Sequence, residues 1–192
     1  MTIAQPILVP YPKNIMLRDG TEVIVRPLTG SDKTRLLQFF QRVPEEDRYY
    51  LKENVTSPEM VQSWTADIDL ERVIPLVALE GDKIIADATL HRSRAPARRH
   101  VGELRIVVDP AYREVGLGRR LIRELLDVAA DLGLQKVTFE LVGQREDPAI
   151  IAAESVGFTE VASLKERVRD LWGNYLDLVL MEMPIEKHRV WW

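Results

Sequence analysis

The chain predicts an α/β fold, and three observations carry that expectation. An apolar run ending at Val107-Val108 passes through Asp109-Pro110 into an arginine and two glycines, Arg113, Gly116 and Gly118, that open an amphipathic helix. A second buried strand, Lys136 to Val142, follows that helix, so strand, glycine turn, helix and strand make a right-handed βαβ unit with two neighbouring parallel strands. Ahead of this unit, alternating apolar runs separated by turn signals describe further strands.

Taken in order, Thr21 to Pro27 alternates as a strand and leads through Leu28-Thr29-Gly30-Ser31-Asp32 into a helix carrying Leu36, Leu37, Phe39 and Phe40. Ser57-Pro58-Glu59 supplies a cap and then proline at the first helical position, starting a short helix through Trp64. Val73 to Glu80 and Lys83 to His91 are strands joined by Gly81-Asp82, a tight hairpin signal. A further strand, Val101 to Val108, runs into the glycine turn. The helix beyond it repeats Leu117, Leu121, Leu125, Val128 and Leu132 on one face and ends at Gly133. Asp147 to Val156 reads as a helix closed by Gly157-Phe158, and Asn174 to Met183 as the last strand. Residues 1–15 are expected to form an extended arm and 16–192 a single domain.

Composition bounds the function. A chain of 192 residues with 46% apolar content buries one sizeable core. There is no apolar run of about 18 residues, so no membrane span is expected. Three prolines and no basic region in the first twelve residues argue against a signal peptide. With no cysteine there is neither a disulfide frame nor a thiolate metal site, and a cytoplasmic location is expected. Three scattered histidines have no metal-ligand spacing, so no metal is expected. A net charge of −4 argues against a nucleic-acid partner. The basic run Arg92, Arg94, Arg98, Arg99 and His100 reads first as a solvated loop, and otherwise as a contact for a coenzyme phosphate or an acidic substrate.

The glycine turn describes a pyrophosphate cradle, because glycine lets backbone approach a ligand closely and a helix N-terminus presents free amides with about half a positive charge. Spacing excludes two loops. A Walker A run is absent, and a dinucleotide fingerprint fails where Leu121 stands in place of its third glycine. What remains, Arg113-x-x-Gly116-x-Gly118, resembles the coenzyme A signature of the GNAT superfamily of N-acetyltransferases. The opening strand and helix, the βαβ unit and the Gly157-Phe158 pair extend the resemblance over most of the chain. Arg26-Pro27-Leu28 and the run from Phe39-Phe40 to Arg48-Tyr49-Tyr50 are similar to the protein-lysine-acetyltransferase branch, with Tyr49, Tyr50 and Trp64 in acceptor-binding segments.

The resemblance implies a mixed central sheet of about seven strands with helices on both faces. It also implies a splayed parallel pair that binds acetyl-CoA as cosubstrate. The coenzyme would lie against Ile106, Val107 and Val108 and against the cradle of Arg113, Glu114, Val115, Gly116, Leu117, Gly118 and Arg119. The acceptor is a primary amine, either a small molecule or a protein lysine, and a homodimer is compatible with the family. Without cysteine no acyl-cysteine forms, which favours direct attack in a ternary complex. An ammonium group with a pKa of about 10 must first lose a proton. Glu103 is the expected catalytic base, since similar members place a glutamate there. Alternation puts Glu103, Arg105 and Val107 on one face, and Asp87 and His91 are the reserve candidates.

Several positions depart from the family pattern. Ala153 replaces the tyrosine that protonates the leaving thiolate in many members, Glu146 replaces an asparagine, and Glu114 and Val115 replace small or basic cradle residues. These departures leave a second reading, a catalytically weak acyl-CoA-binding regulatory module, and a third, an interaction domain without coenzyme. Trp191-Trp192 are expected to pack on the domain or a partner.

Overall fold

In the computed structural model, which describes residue 8 and residues 10–185, eight strands form one sheet. They are β1 (Lys13–Met16), β2 (Glu22–Pro27), β3 (Val73–Glu80), β4 (Lys83–Arg92), β5 (Val101–Val108), β6 (Lys136–Val142), β7 (Thr159–Arg169) and β8 (Tyr175–Pro184). The order across the sheet is β1-β2-β3-β4-β5-β6-β8-β7, and β5 and β6 are its parallel neighbours. The helices are α1 (Lys33–Arg42), α2 (Glu45–Arg48), α3 (Pro58–Ala66), α4 (Leu117–Asp131) and α5 (Asp147–Glu154). No helix among the described residues is long and apolar enough to cross a membrane.

Each face of the sheet has its own core, so helices cover both sides. Leu117, Leu121 and Leu125 of α4 and Ala153 of α5 pack with Leu104 and Phe139 on one side. Leu36, Phe39 and Phe40 of α1 and Val61 of α3 pack with Val77 and Ile84 on the other. The cap expected at Ser57 is present: its Oγ accepts the Met60 N–H at 3.2 Å, with Pro58 at the first helical position.

The parallel pairing is what prepares a site. β5 and β6 pair only from Val101↔Lys136 to Leu104↔Phe139. Beyond that point β5 stays on β4 as far as Ala86↔Val108, and β6 stays on β8 as far as Val142↔Leu178. The sheet therefore opens as a V from Arg105 onward, and backbone at Ile106 to Val108 faces the gap instead of a neighbouring strand.

Two strands went unpredicted, giving eight where about seven were expected. At the end of the segment read as an arm, residues 1–15, and across its boundary, Lys13–Met16 pairs with β2, from Lys13↔Val25 to Met16↔Glu22. β7 is the opposite edge strand; most of its residues are exposed, and its pairing shifts register between Leu164 and Val168. With neither face buried it has no alternation to read. Residues 1–7, 9 and the Trp191-Trp192 pair lie outside the described residues.

The turn into α1 is held by a buried ion pair. Asp32 is fully buried and accepts both Arg26 guanidinium nitrogens at 2.7 Å, together with the Thr29 amide at 3.0 Å and hydroxyl at 2.8 Å. Burial alone would raise the Asp32 pKa, but the bonds from Arg26 and Thr29 outweigh it and hold the carboxyl well below the usual range. Replacing Asp32→Ala strands Arg26 and is expected to cost about 3 kcal/mol in denaturant melts at pH 7. Because the folded-state pKa is depressed, this contribution is present above the unfolded carboxylate value of about 3.9 and is lost as pH falls below it. The gap between wild type and variant narrows accordingly in acid.

Candidate active site

Val108 ends β5, and the Asp109 carboxylate accepts the Ala111 amide at 3.1 Å to turn the chain. Arg42 from α1 holds the other Asp109 oxygen at 3.1 Å. The chain then reaches Gly116, which caps α4 with φ +93°, a left-handed conformation that costs an L-residue about 1–2 kcal/mol. Gly118 differs: a Cβ there would meet no heavy atom within 4 Å, so its missing side chain leaves the start of α4 open.

That opening belongs to a cavity of about 530 Å³. Ile106, Val107, Val108, Arg113, Glu114, Gly116, Gly118 and Arg119 line it, as do Phe139, Leu141, Pro148 and Ala149 across the splay. Val115 and Leu117 do not line it. Leu117 is buried in the core, and the Val115 carbonyl accepts the Arg18 amide at 3.2 Å. The Arg113 guanidinium donates to the Val108 carbonyl at 3.2 Å and pairs with Asp47 of α2 at 2.8 Å. Asp47 also pairs with Arg145, which meets Glu46 at 3.2 Å.

Arg18, Asp47 and Arg145 line this cavity and were missed, and Tyr50, expected in an acceptor-binding segment, lines this cavity instead. For Arg18 a signal existed: Asp19-Gly20 is a hairpin turn, with Asp19 accepting the Thr21 amide at 3.0 Å, but β1 is too short to make the hairpin obvious. Ala153 is fully buried in the core and offers no hydroxyl. The phenol at this cavity is that of Tyr50, its pKa raised by burial first and by Asp170 next. Glu146 accepts the Val142 amide at 2.6 Å at the end of β6, and burial raises its pKa.

Glu114 is an exposed residue at φ +64°. Glu114→Gly is expected to stabilise the fold by about 1 kcal/mol, because glycine adopts that conformation freely. The same change removes a carboxylate from the cavity wall and is expected to tighten acetyl-CoA binding several-fold in calorimetric titration.

A second cavity, of about 630 Å³, lies on the α1/α3 side of the sheet. Leu36, Phe40, Val55, Met60, Trp64 and Ile68 form its apolar part. Its polar wall is the paired faces of β4 and β5, where Asp87 lies opposite Val107, Thr89 opposite Arg105, and His91 opposite Glu103. Val107 and Leu51 line both cavities, so the two meet at the centre of the splay.

Of the candidate bases on these two strands, Asp87 and His91 line the cavity and Glu103 does not, and the three differ in their surroundings. Glu103 accepts Lys52 at 2.7 Å and Arg105 at 2.8 Å, while Lys52 reaches Glu140 on β6 at 2.8 Å, bridging the strands where they part. Burial pushes the Glu103 pKa up, but those two cations outweigh it and lower it. His91 is pushed down to about 4 by burial and by Arg105, so its imidazole is neutral at pH 7; Nε2 lies 3.0 Å from the Thr89 hydroxyl. The Asp87 carboxylate has no hydrogen-bond partner among the described residues, and burial pushes its pKa up to about 7.

The aromatic residues divide as well. Phe39 and Phe40 are core residues with ring centroids 4.9 Å apart, and Trp64 packs edge-on to Phe40 at 6.0 Å. Tyr49 is exposed. The basic run from Arg92 to His100 precedes β5, at the end of that strand away from the cradle, and Arg94 pairs there with Asp69.

Comparison with known proteins agrees with this geometry. An acetyltransferase of Pseudomonas aeruginosa is 29% identical over 127 residues, which are 63% of this chain and 67% of that protein. The L-methionine sulfoximine/L-methionine sulfone acetyltransferase of Salmonella typhimurium is 31% identical over 90 residues, 47% of this chain and 52% of the relative. This chain thus spans about half the length of the second relative. An acetyltransferase structure from Salmonella typhimurium, solved with acetyl-CoA, superposes with a TM-score of 0.73 at 21% identity, covering 88% of this chain and 96% of that one. The model of the Acetyltransferase (GNAT) family matches residues 36–158, which include the whole βαβ unit, and the chain belongs to that family.

Proposed function

We propose that this protein transfers the acetyl group of acetyl-CoA to a small primary amine by direct attack in a ternary complex. The observation that carries the reading is the meeting of two cavities at Val107, one with an anion cradle and the other with an unpaired carboxylate. The residues fit the coenzyme, since the left-handed Gly116, the open position at Gly118, the amides opening α4, and Arg18, Arg113 and Arg119 together suit a pyrophosphate. Acetyl-CoA supplies an activated acyl group and a thiolate that needs little help to leave, its conjugate acid having a pKa of about 8.5. The Salmonella relative acts on methionine derivatives, which supports a small-molecule acceptor over a protein lysine. The cysteine-free sequence fits a cytoplasmic location.

In this reading the unpaired edge of β5 at Ile106 to Val108 orients the acyl arm, and Asp87 takes the proton from the ammonium group. Glu103 was the first candidate for that role. Its two cations stabilise the anion and make it a weak base, so its part is to hold Arg105 and Lys52 in place. His91, pushed down to about 4, is also a weak base.

A regulatory module that binds acyl-CoA without transfer draws on Asp47, which already occupies Arg113 and Arg145, and on Ala153. Initial rates of thiol release, measured with acetyl-CoA and amines varied together, separate the two. The transferase gives amine-dependent release with intersecting reciprocal plots. Tight acetyl-CoA binding with no amine-dependent release supports the module.

A further inference from the structure

The acceptor cavity pairs three features that no single amine class uses together, apart from one. Its wall has an unpartnered carboxylate at Asp87; one rung along, Arg105 donates from Nε to Glu103, while its two terminal nitrogens have no partner among the described residues. Opposite both lies the apolar pocket of Leu36, Phe40, Val55 and Trp64. We infer that the acceptor is a free α-amino acid with an apolar side chain: Asp87 receives its ammonium group, the open edge of the Arg105 fork its carboxylate, and the pocket its side chain. This rests on the transferase reading above.

Spacing supports it. Asp87 on β4 and Arg105 on β5 are diagonal neighbours across an antiparallel pair, a relation that sets residues about 7–8 Å apart, and an amine and carboxylate on one carbon, each making a hydrogen bond of about 2.8 Å, span that interval. Arg105 is suited to the task because Glu103 anchors it through Nε and leaves the fork edge that matches a carboxylate. Arg72 lines the same cavity and adds positive charge. Other amines fit less well. A protein lysine brings its amine on a bare four-carbon stem and leaves Arg105 unused. A polyamine finds further carboxylates at Glu53, Asp67 and Asp69 but leaves the Arg105 fork and the apolar pocket unused, and an aminoglycoside sets hydroxyls against that pocket.

The test compares kcat/KM, per unprotonated amine, for L-leucine, leucinamide, 3-methylbutylamine (leucine without its carboxylate) and glycine. Leucine is expected to exceed leucinamide and 3-methylbutylamine by about 10²-fold, and glycine by about 10-fold. Arg105→Gln is expected to collapse the preference for leucine over 3-methylbutylamine towards unity, chiefly through KM, and Arg105→Lys to restore part of it; cooperative melting shows that both variants are folded. Equal use of leucine and 3-methylbutylamine by the wild type, or a preference that survives in Arg105→Gln, overturns the inference and leaves the transferase standing. Thiol release with none of the four amines, but with a lysine peptide or polyamine, overturns it in the same way. No release with any amine overturns the transferase reading itself.

Discussion

Asp87→Asn is expected to lower turnover by about 10²–10⁴-fold, the usual worth of a positioned base, while the protein still binds acetyl-CoA. Asparagine keeps the volume and removes the site that accepts the proton. The pH profile should identify the group. Burial holds the Asp87 carboxyl at about 7, so the wild-type rate rises through that pH and the variant loses the limb. The sign for stability is opposite. The folded state binds this proton more tightly than the unfolded chain, whose carboxyl has a pKa of about 3.9, so ionising Asp87 costs stability as pH rises through 4 to 7. Asp87→Asn should therefore melt above wild type at pH 8, by about 2–4 °C for each kcal/mol regained, with the advantage gone near pH 4. Glu103→Gln makes the contrast: it releases Arg105 and Lys52 and should act mainly on KM for the acceptor. A loss of turnover larger in Glu103→Gln than in Asp87→Asn, with the pH limb lost in the former alone, would give the base back to Glu103.

Gly118→Glu is expected to abolish acetyl-CoA binding, lowering affinity by at least about 10²-fold in calorimetric titration. The substitution has room, since no heavy atom lies within 4 Å of a Cβ at this position, and it falls in the first turn of α4 where a carboxylate suits the helix. The fold should tolerate it. What it fills is the cradle: a side chain and a negative charge stand where a pyrophosphate would meet the amides of α4. Unchanged affinity in a variant that melts cooperatively would move the coenzyme site away from this turn.

Much of the scaffold was legible because it rests on local pattern. The period of α4, the cap at Ser57, the hairpin at Gly81-Asp82 and the strand that stops at Asp109-Pro110 each need only a few neighbouring residues to be read. The edges were not legible for the same reason. β1 has four residues, and β7 buries little on either face, so neither shows a clean period. The site divides along the same line. The turn from Arg113 to Arg119 stood out as a contiguous motif. The state of Glu103 depends on Lys52, 51 positions away, and that of Arg113 on Asp47, 66 positions away. An alternation pattern places Glu103 and Arg105 side by side; it does not supply the second cation that weakens the base, nor the isolation of Asp87 that strengthens another.

The central claim is the movement of an acetyl group from the coenzyme to an amine nitrogen. Mass spectrometry tests it most directly, with wild-type protein given acetyl-CoA labelled with ¹³C in both acetyl carbons and a mixture of L-leucine, a lysine peptide and a polyamine. The account predicts a labelled N-acetyl product that forms in step with free thiol and is lost in Gly118→Glu. Label recovered only as acetate, or remaining on the coenzyme through many hours with every amine unmodified, would contradict it.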